Sequence, residues 1–350
     1  MRTKYYLIFL VSLALGLFCT ASCTDLFQGK SIKFSGKTNP DRPQTKTSYS
    51  GQTFTDGDKT YERIDWVNND MIVINMNNSG ETQSKDFVIS GVTTSGRYSN
   101  AGLNPFGEEG LFWGTGSHKF WAAYPSSAGS AYLRLYNNVP ADQAVTYRTK
   151  TNNILYYSPN MEYAFMVASL VSDPVASVSL DFYPAVTTFE FTVGANDGTV
   201  VDGFTMETIS SGVTTQNTLT GDAEVNFNET TLEPTFSASG TKGQEINVTF
   251  SQAASISPTT QMNFKVFAVP QDIKGVRIAF HIDDGSATGL TRSLNLTRET
   301  SSDPEWITFP ARSLIRITGL LIPSAIWTIT FDGPREEQWT IHPDIEISIE

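Results

Sequence analysis

Apolar and polar side chains alternate along almost the whole chain, and the alternation has a period of two. Val178, Leu180 and Phe182 face one way, with Ser177, Ser179 and Asp181 facing the other. Phe189, Phe191 and Val193 repeat the pattern, as do Ile246, Val248 and Phe250, and Leu133 and Leu135 alternate with Tyr132, Arg134 and Tyr136. Met71 to Asn75 is a short run crowded with β-branched residues. Phe264 to Phe267 and Val276 to Phe280 continue the series, and Trp327, Ile329 and Phe331 line one face of a late segment. A period of two marks strands that are buried on one side. Turn formers punctuate these runs: Asp56-Gly57, Asn78-Ser79-Gly80, Asn104-Pro105, Asp197-Gly198, Asp284-Gly285 and Asp332-Gly333-Pro334. No amphipathic helix longer than two turns stands out, and residues 162–171 fit a helix or a strand equally.

Many short strands at close spacing predict an all-β protein of antiparallel sandwiches rather than βαβ units. The length suggests two domains in tandem. Asp173-Pro174 offers a boundary, because proline cannot sit in a central strand. The expected division is therefore 47–174 and 175–350.

The N-terminus breaks the pattern. Arg2 and Lys4 precede an apolar run, Tyr5 to Phe18, interrupted only by Ser12 and followed by the small residues Thr20, Ala21 and Ser22 and then Cys23. A basic head, a short apolar stretch and small residues read as an export signal over residues 1–22. The run is too short to cross a hydrocarbon core of ~30 Å, which takes roughly 20 helical residues. A cysteine directly after the small residues suggests lipoprotein processing, with the Cys23 thiol carrying the lipid at the new N-terminus. Ordinary secretion with an incidental cysteine is the alternative. Residues 23–46 then form a polar leader rich in Lys, Gly, Pro and Thr, with one alternating piece, Ile32-Lys33-Phe34. Its second half reads as an exposed loop of the kind that proteases nick.

Composition narrows the function classes. The formal net charge is −12, and loss of Arg2 and Lys4 with the signal makes it −14. An acidic surface argues against nucleic acid, which needs clustered Lys and Arg, and against adsorption to anionic lipid. Of the 2 cysteines, Cys19 falls inside the signal, so no internal disulfide can form and stability must come from packing. The 3 histidines, His118, His281 and His342, lie far apart with no partner at ligand spacing, so no metal site or cofactor is expected. No Gly-x-Ser-x-Gly elbow or dinucleotide fingerprint occurs. Gly114-Thr115-Gly116-Ser117-His118-Lys119 echoes a phosphate loop but reads as a glycine turn, because a strand and not a helix follows it. Asp283-Asp284 and Asp56-x-Asp58 read as turns. The expectation is a protein without catalysis. Phe112, Trp113, Phe120, Trp121 and Tyr124 form a dense aromatic group that could stack on sugars or fill a core. Alternation puts Phe120, Ala122 and Tyr124 on one face and Trp121 and Ala123 on the other.

With the signal, the nickable leader and the β pattern in place, the chain resembles the fimbrillin family, lipoprotein precursors of pilus subunits in Bacteroidales. The resemblance rests on loose patches in a fixed order. These are Thr45-Lys46-Thr47-Ser48-Tyr49-Ser50-Gly51, then Glu62 to Ile74, then Phe120-Trp121-Ala122-Ala123-Tyr124-Pro125, then Val178 to Ala185, and last Ile315-Arg316-Ile317-Thr318-Gly319-Leu320. It implies two transthyretin-like β-sandwich domains, a cell-surface location after export to the outer membrane, and assembly with other pilus subunits by strand exchange. A processing protease clips after a basic residue near the N-terminus, the first strand leaves, and a neighbour's strand fills the groove. Lys46-Thr47 is the site this implies here, since Arg42 is followed by Pro43. Many relatives carry Arg at that position. Ile32 and Phe34 become inward residues of the removable strand. Ile345, Ile347 and Ile349 alternate with acidic and polar residues up to Glu350, and are either a donor strand or the last strand of their own domain. An adhesive subunit would also grip a host or bacterial surface ligand. The alternative is a surface lipoprotein that captures glycans through exposed aromatics.

Overall fold

The computed structural model describes residues 27–38, 48–56, 59–96, 98–195, 198–208, 218–273, 275–283, 290–297, 307–309, 311, 313–321 and 328–332. The strands are, in chain order, β1 (Phe34–Thr38), β2 (Ser48–Asp56), β3 (Lys59–Asp65), β4 (Met71–Asn78), β5 (Glu81–Ser95), β6 (Tyr98–Pro105), β7 (His118–Tyr124), β8 (Gly129–Ala131) and β9 (Arg134–Val139). They continue as β10 (Asp142–Thr151), β11 (Ile154–Pro159), β12 (Met166–Ser172), β13 (Val178–Pro184), β14 (Thr187–Ala195), β15 (Thr199–Thr208), β16 (Thr220–Phe227) and β17 (Pro234–Gly243). The rest are β18 (Glu245–Ile256), β19 (Gln261–Ala268), β20 (Gln271–Ile273), β21 (Gly275–Ile282), β22 (Leu290–Thr297), β23 (Ile307–Phe309), β24 (Ser313–Leu321) and β25 (Thr328–Asp332). The only helix among the described residues is a single 3₁₀ turn, Met161–Tyr163, capped by the Asn160 side chain. The protein is all-β, as the periodicity predicts.

The architecture is not two separate sandwiches. One sheet closes into a barrel in the order β1-β13-β12-β7-β4-β5-β6. A second sheet has ten strands, β22-β21-β15-β18-β10-β11-β19-β14-β24-β25, and a third has four, β17-β16-β9-β8. The expected boundary at 174 falls between β12 and β13, and both are barrel strands, joined through Met166↔Pro184 and Val167↔Tyr183. Conversely β10 and β11, inside the expected first domain, pair in parallel with β18 and β19 of the ten-stranded sheet. Neither sheet corresponds to one unbroken stretch of chain. Asp173-Pro174 is a turn within the barrel, where proline breaks no ladder.

Three cores follow from this arrangement. The barrel is filled by Phe34, Phe87, Phe120, Leu103, Phe182 and their neighbours. The ten-stranded sheet curls around a core of its own, where Phe191, Phe204 and Phe264 pack with centroids 4.7 Å (Phe191–Phe204), 5.0 Å (Phe191–Phe264) and 5.0 Å (Phe204–Phe264) apart. A third core, with Trp121, Val167, Leu135, Val225 and Phe267, is built from the barrel wall, the four-stranded sheet and the ten-stranded sheet together. β7 therefore has both faces buried. Residues 162–171, ambiguous by sequence, begin in the 3₁₀ turn and continue as β12, a barrel strand rich in β-branched and small residues.

One buried charge cluster is set into the ten-stranded sheet. Glu190 on β14 faces Lys265 on β19 and Arg316 on β24 in register. Its carboxylate lies 2.7 Å from Lys265 Nζ and 2.7 Å from Arg316 Nε, and it accepts from Asn263 Nδ2 at 3.2 Å. Burial alone would raise this carboxyl's pKa, but the charges of Lys265 and Arg316 outweigh it and hold it at about 2. With its acceptors matched to donors, the cluster meets the condition under which charge is tolerated in an interior.

Candidate functional site: the slot filled by the first strand

The barrel is closed by β1. It pairs in parallel with β13, from Phe34↔Val178 to Thr38↔Phe182, and antiparallel with β6, from Phe34↔Leu103 to Lys37↔Asn100. The chain approaches this slot along residues 111–113. Gly29 N–H donates to Trp113 O (2.8 Å), Trp113 N–H to Lys30 O (3.0 Å) and Ile32 N–H to Leu111 O (2.8 Å). Val178 N–H then donates to Lys33 O at 2.9 Å. Both edges of the strand are thus used, so its backbone polar groups are paired as burial requires.

Alternation sorts its side chains. Ile32 and Phe34 point into the barrel and are 2% and 5% exposed. Phe34 meets Phe87 (5.2 Å, 75°) and Phe120 (5.5 Å, 78°) edge to face, the arrangement favoured by the ring quadrupoles. Gly36, also buried, comes next inward between Leu103 and Phe182. Lys33 points out and is exposed. Lys37 reaches Asp181 (3.9 Å) and lies over the Tyr98 ring (4.6 Å to its centroid). Ile32 and Phe34, named from the sequence, are therefore together in this core. Gly36 was not named. A glycine inside a strand marks a close approach, and that signal was present in the sequence.

The other sequence candidates are placed as follows. Cys23, Lys46, Thr47, Ile345, Ile347, Ile349 and His342 lie outside the described residues. Trp113, Phe120, Trp121 and Tyr124 are buried, so they are core and offer no platform for sugars. The split of faces holds, with Phe120, Ala122 and Tyr124 in the barrel core and Trp121 and Ala123 in the third core. Of that group only Phe112 is exposed, at 41%. Tyr124 packs against Trp66 (6.0 Å), and burial pushes its phenol pKa well up.

The glycine turn at 114–119 organises His118 rather than a phosphate. His118 is fully buried. Its Nε2 accepts from Gly114 N–H at 2.9 Å, which leaves the proton on Nδ1, and Nδ1 donates to Gly116 O at 2.8 Å. Asn78 Nδ2 also reaches Nε2, at 2.8 Å. Burial lowers this imidazole's pKa, partly opposed by the Gly116 bond and the charge of Asp173. A Cβ at Gly114 would stand 2.2 Å from Asn78 Nδ2, which is why that position needs glycine. His281 is engaged by Thr205 Oγ1 at 3.1 Å.

No family model and no curated protein matches this sequence. Solved structures share the fold. A candidate cell adhesion protein from Bacteroides ovatus aligns at a TM-score of 0.51 and 13% identity, covering 88% of this chain and 99% of that one. A second, from Bacteroides uniformis, aligns at 0.51 and 10% identity, covering 87% and 97%. A fimbrial assembly protein from Parabacteroides distasonis is also similar, at a TM-score of 0.36 and 11% identity over 91% of this chain and 99% of that one. The fold is shared with the two candidate cell adhesion proteins.

Proposed function

We propose that this protein is a structural or adhesive, non-catalytic subunit of a cell-surface fimbria, made as a lipoprotein anchored through Cys23 and released for assembly by proteolysis. The single observation that supports the reading most is the place of β1. The first of the described strands is the closing stave of a barrel, held between β13 and β6, and it is followed at once by the basic, proline-containing stretch 39–47. A cut at Lys46-Thr47 separates that strand from the rest of its barrel. Its departure leaves two unpaired edges and an apolar slot lined by Phe87, Leu103, Phe120 and Phe182. Such a slot is satisfied by an added strand from another subunit, the β-augmentation mode of recognition. The terminal isoleucines Ile345, Ile347 and Ile349 are one candidate donor. The shared fold with candidate adhesion proteins agrees with this role. The glycan-capture alternative loses most of its supporting group, because those aromatics, Phe112 apart, are interior.

The test has two arms. Limited digestion with trypsin is expected to expose Thr47 as an early new N-terminus and to convert the monomer into ladders or filaments. Cys23→Ala is expected to abolish partition into the detergent phase. Persistence of a monomer after complete removal of the leader argues against a subunit role, and unchanged membrane partition of the variant argues against the lipid anchor.

A further inference from the structure

Resting on the strand-exchange reading above, we propose that the β1 slot selects its incoming strand by a side-chain pattern. The pattern is large, large, small on the inward face, with a basic residue directly after the small one.

The first two levels of the slot are filled by the strand itself, through Ile32 and Phe34. The third is filled by its walls. A Cβ built on Gly36 would sit 3.4 Å from both Leu103 methyls and 3.6 Å from Phe182 Cε2. That is ordinary contact for a methyl group, and it leaves nothing beyond. Leu103 and Phe182 are 4% and 1% exposed, so neither can swing into solvent to admit a longer side chain. Gly36 does not adopt a left-handed backbone. Its glycine is a matter of space. Interiors packed to crystal-like density resist added methylenes.

The rim adds a charge requirement. The position after the small residue is Lys37, whose ammonium faces Asp181 and the Tyr98 ring. An acidic residue there would face Asp181 directly.

Ile345, Ile347 and Ile349 present three large residues in succession. Laid over the three levels in the direction of β1, they put Ile349 at the Gly36 level and Glu350 at the Lys37 position. Laid in the reverse direction, they put Ile345 and Asp344 there. In that register both directions fail on size and on charge. The partner that fits is a strand with two large inward residues, then Gly or Ala, then Lys or Arg.

The test is strand displacement from the full chain, nicked within residues 39–47 so that β1 is retained only by its contacts. Synthetic peptides are added and release of the leader fragment is followed by gel filtration. A peptide of residues 29–39 and its Gly36→Ala form are expected to displace the leader comparably. The Gly36→Ile peptide is expected to need about tenfold more, the scale of overpacking a filled core. The Lys37→Glu peptide is expected to be several-fold weaker, with the deficit shrinking as salt rises. Equal displacement by the native and Gly36→Ile peptides would overturn the size rule while leaving strand exchange standing. Failure of every peptide, the native one included, would bring down strand exchange and the selection rule with it.

Discussion

Replacing Phe34 with alanine removes the ring that joins β1 to the barrel core. The side chain is 5% exposed and lies edge to face against Phe87 and Phe120. Truncating a buried phenylalanine costs ~3–5 kcal/mol, from lost transfer energy and from the cavity left behind. At 2–4 °C per kcal/mol for a unit of 150–250 residues, the barrel should melt roughly 10 °C earlier. The same free energy governs retention of the leader once residues 39–47 are cut. At 1.4 kcal/mol per factor of ten, the nicked Phe34→Ala chain should hold its leader about 10²–10³-fold less tightly than the nicked native chain. Calorimetry of the intact chain and gel filtration of the nicked one measure the two consequences separately. Lys33→Ala is the matched control, since Lys33 lies one residue away and points outward, and surface changes usually stay within ~0.5 kcal/mol. If Phe34→Ala behaves like Lys33→Ala in both assays, β1 is not the closing stave, and the argument built on its slot collapses.

Two further predictions concern pH and buried charge. Glu190→Gln leaves the buried Lys265 and the half-buried Arg316 without this carboxylate, and should cost ~3–5 kcal/mol, read as a drop in the denaturation midpoint at neutral pH. In the native chain Glu190 has a folded-state pKa of about 2 against an ordinary 4.5. The unfolded chain therefore binds the proton first, and this contribution is present above about 4.5 and lost as pH falls toward 2. His118 has a folded pKa below the ordinary 6.5, so the neutral form is the one the fold prefers. Its contribution is full above 6.5 and is lost as pH falls below that value. A melting-temperature profile that lacks a decline below pH 6.5 in the native chain, or that keeps the decline unchanged in His118→Asn, contradicts this assignment.

The sequence by itself determined which way the residues of its alternating strands point. Val178, Leu180 and Phe182 are interior while Ser179 and Asp181 are exposed, because a pleated strand can present its residues in only two directions. It also determined that the 120–124 run divides between two faces and that Ile32 and Phe34 point the same way. What it could not determine was the partner of each strand. Period two fixes a face and carries no label for the neighbour, so β1 pairing in parallel with β13, with Ser35 Oγ and Val178 O 143 positions apart, was not legible. The same limit hid the crossing of β10 and β11 into the ten-stranded sheet. Aromatic density at 112–124 was equally silent, since a ring that fills a core and a ring that binds a ligand have the same composition. Only the third core, formed where barrel and sheets meet over Trp121, decided between them. The meaning of Gly36 depended on tertiary structure for the same reason: the space it leaves is occupied by Leu103 and Phe182, which reach it from other strands.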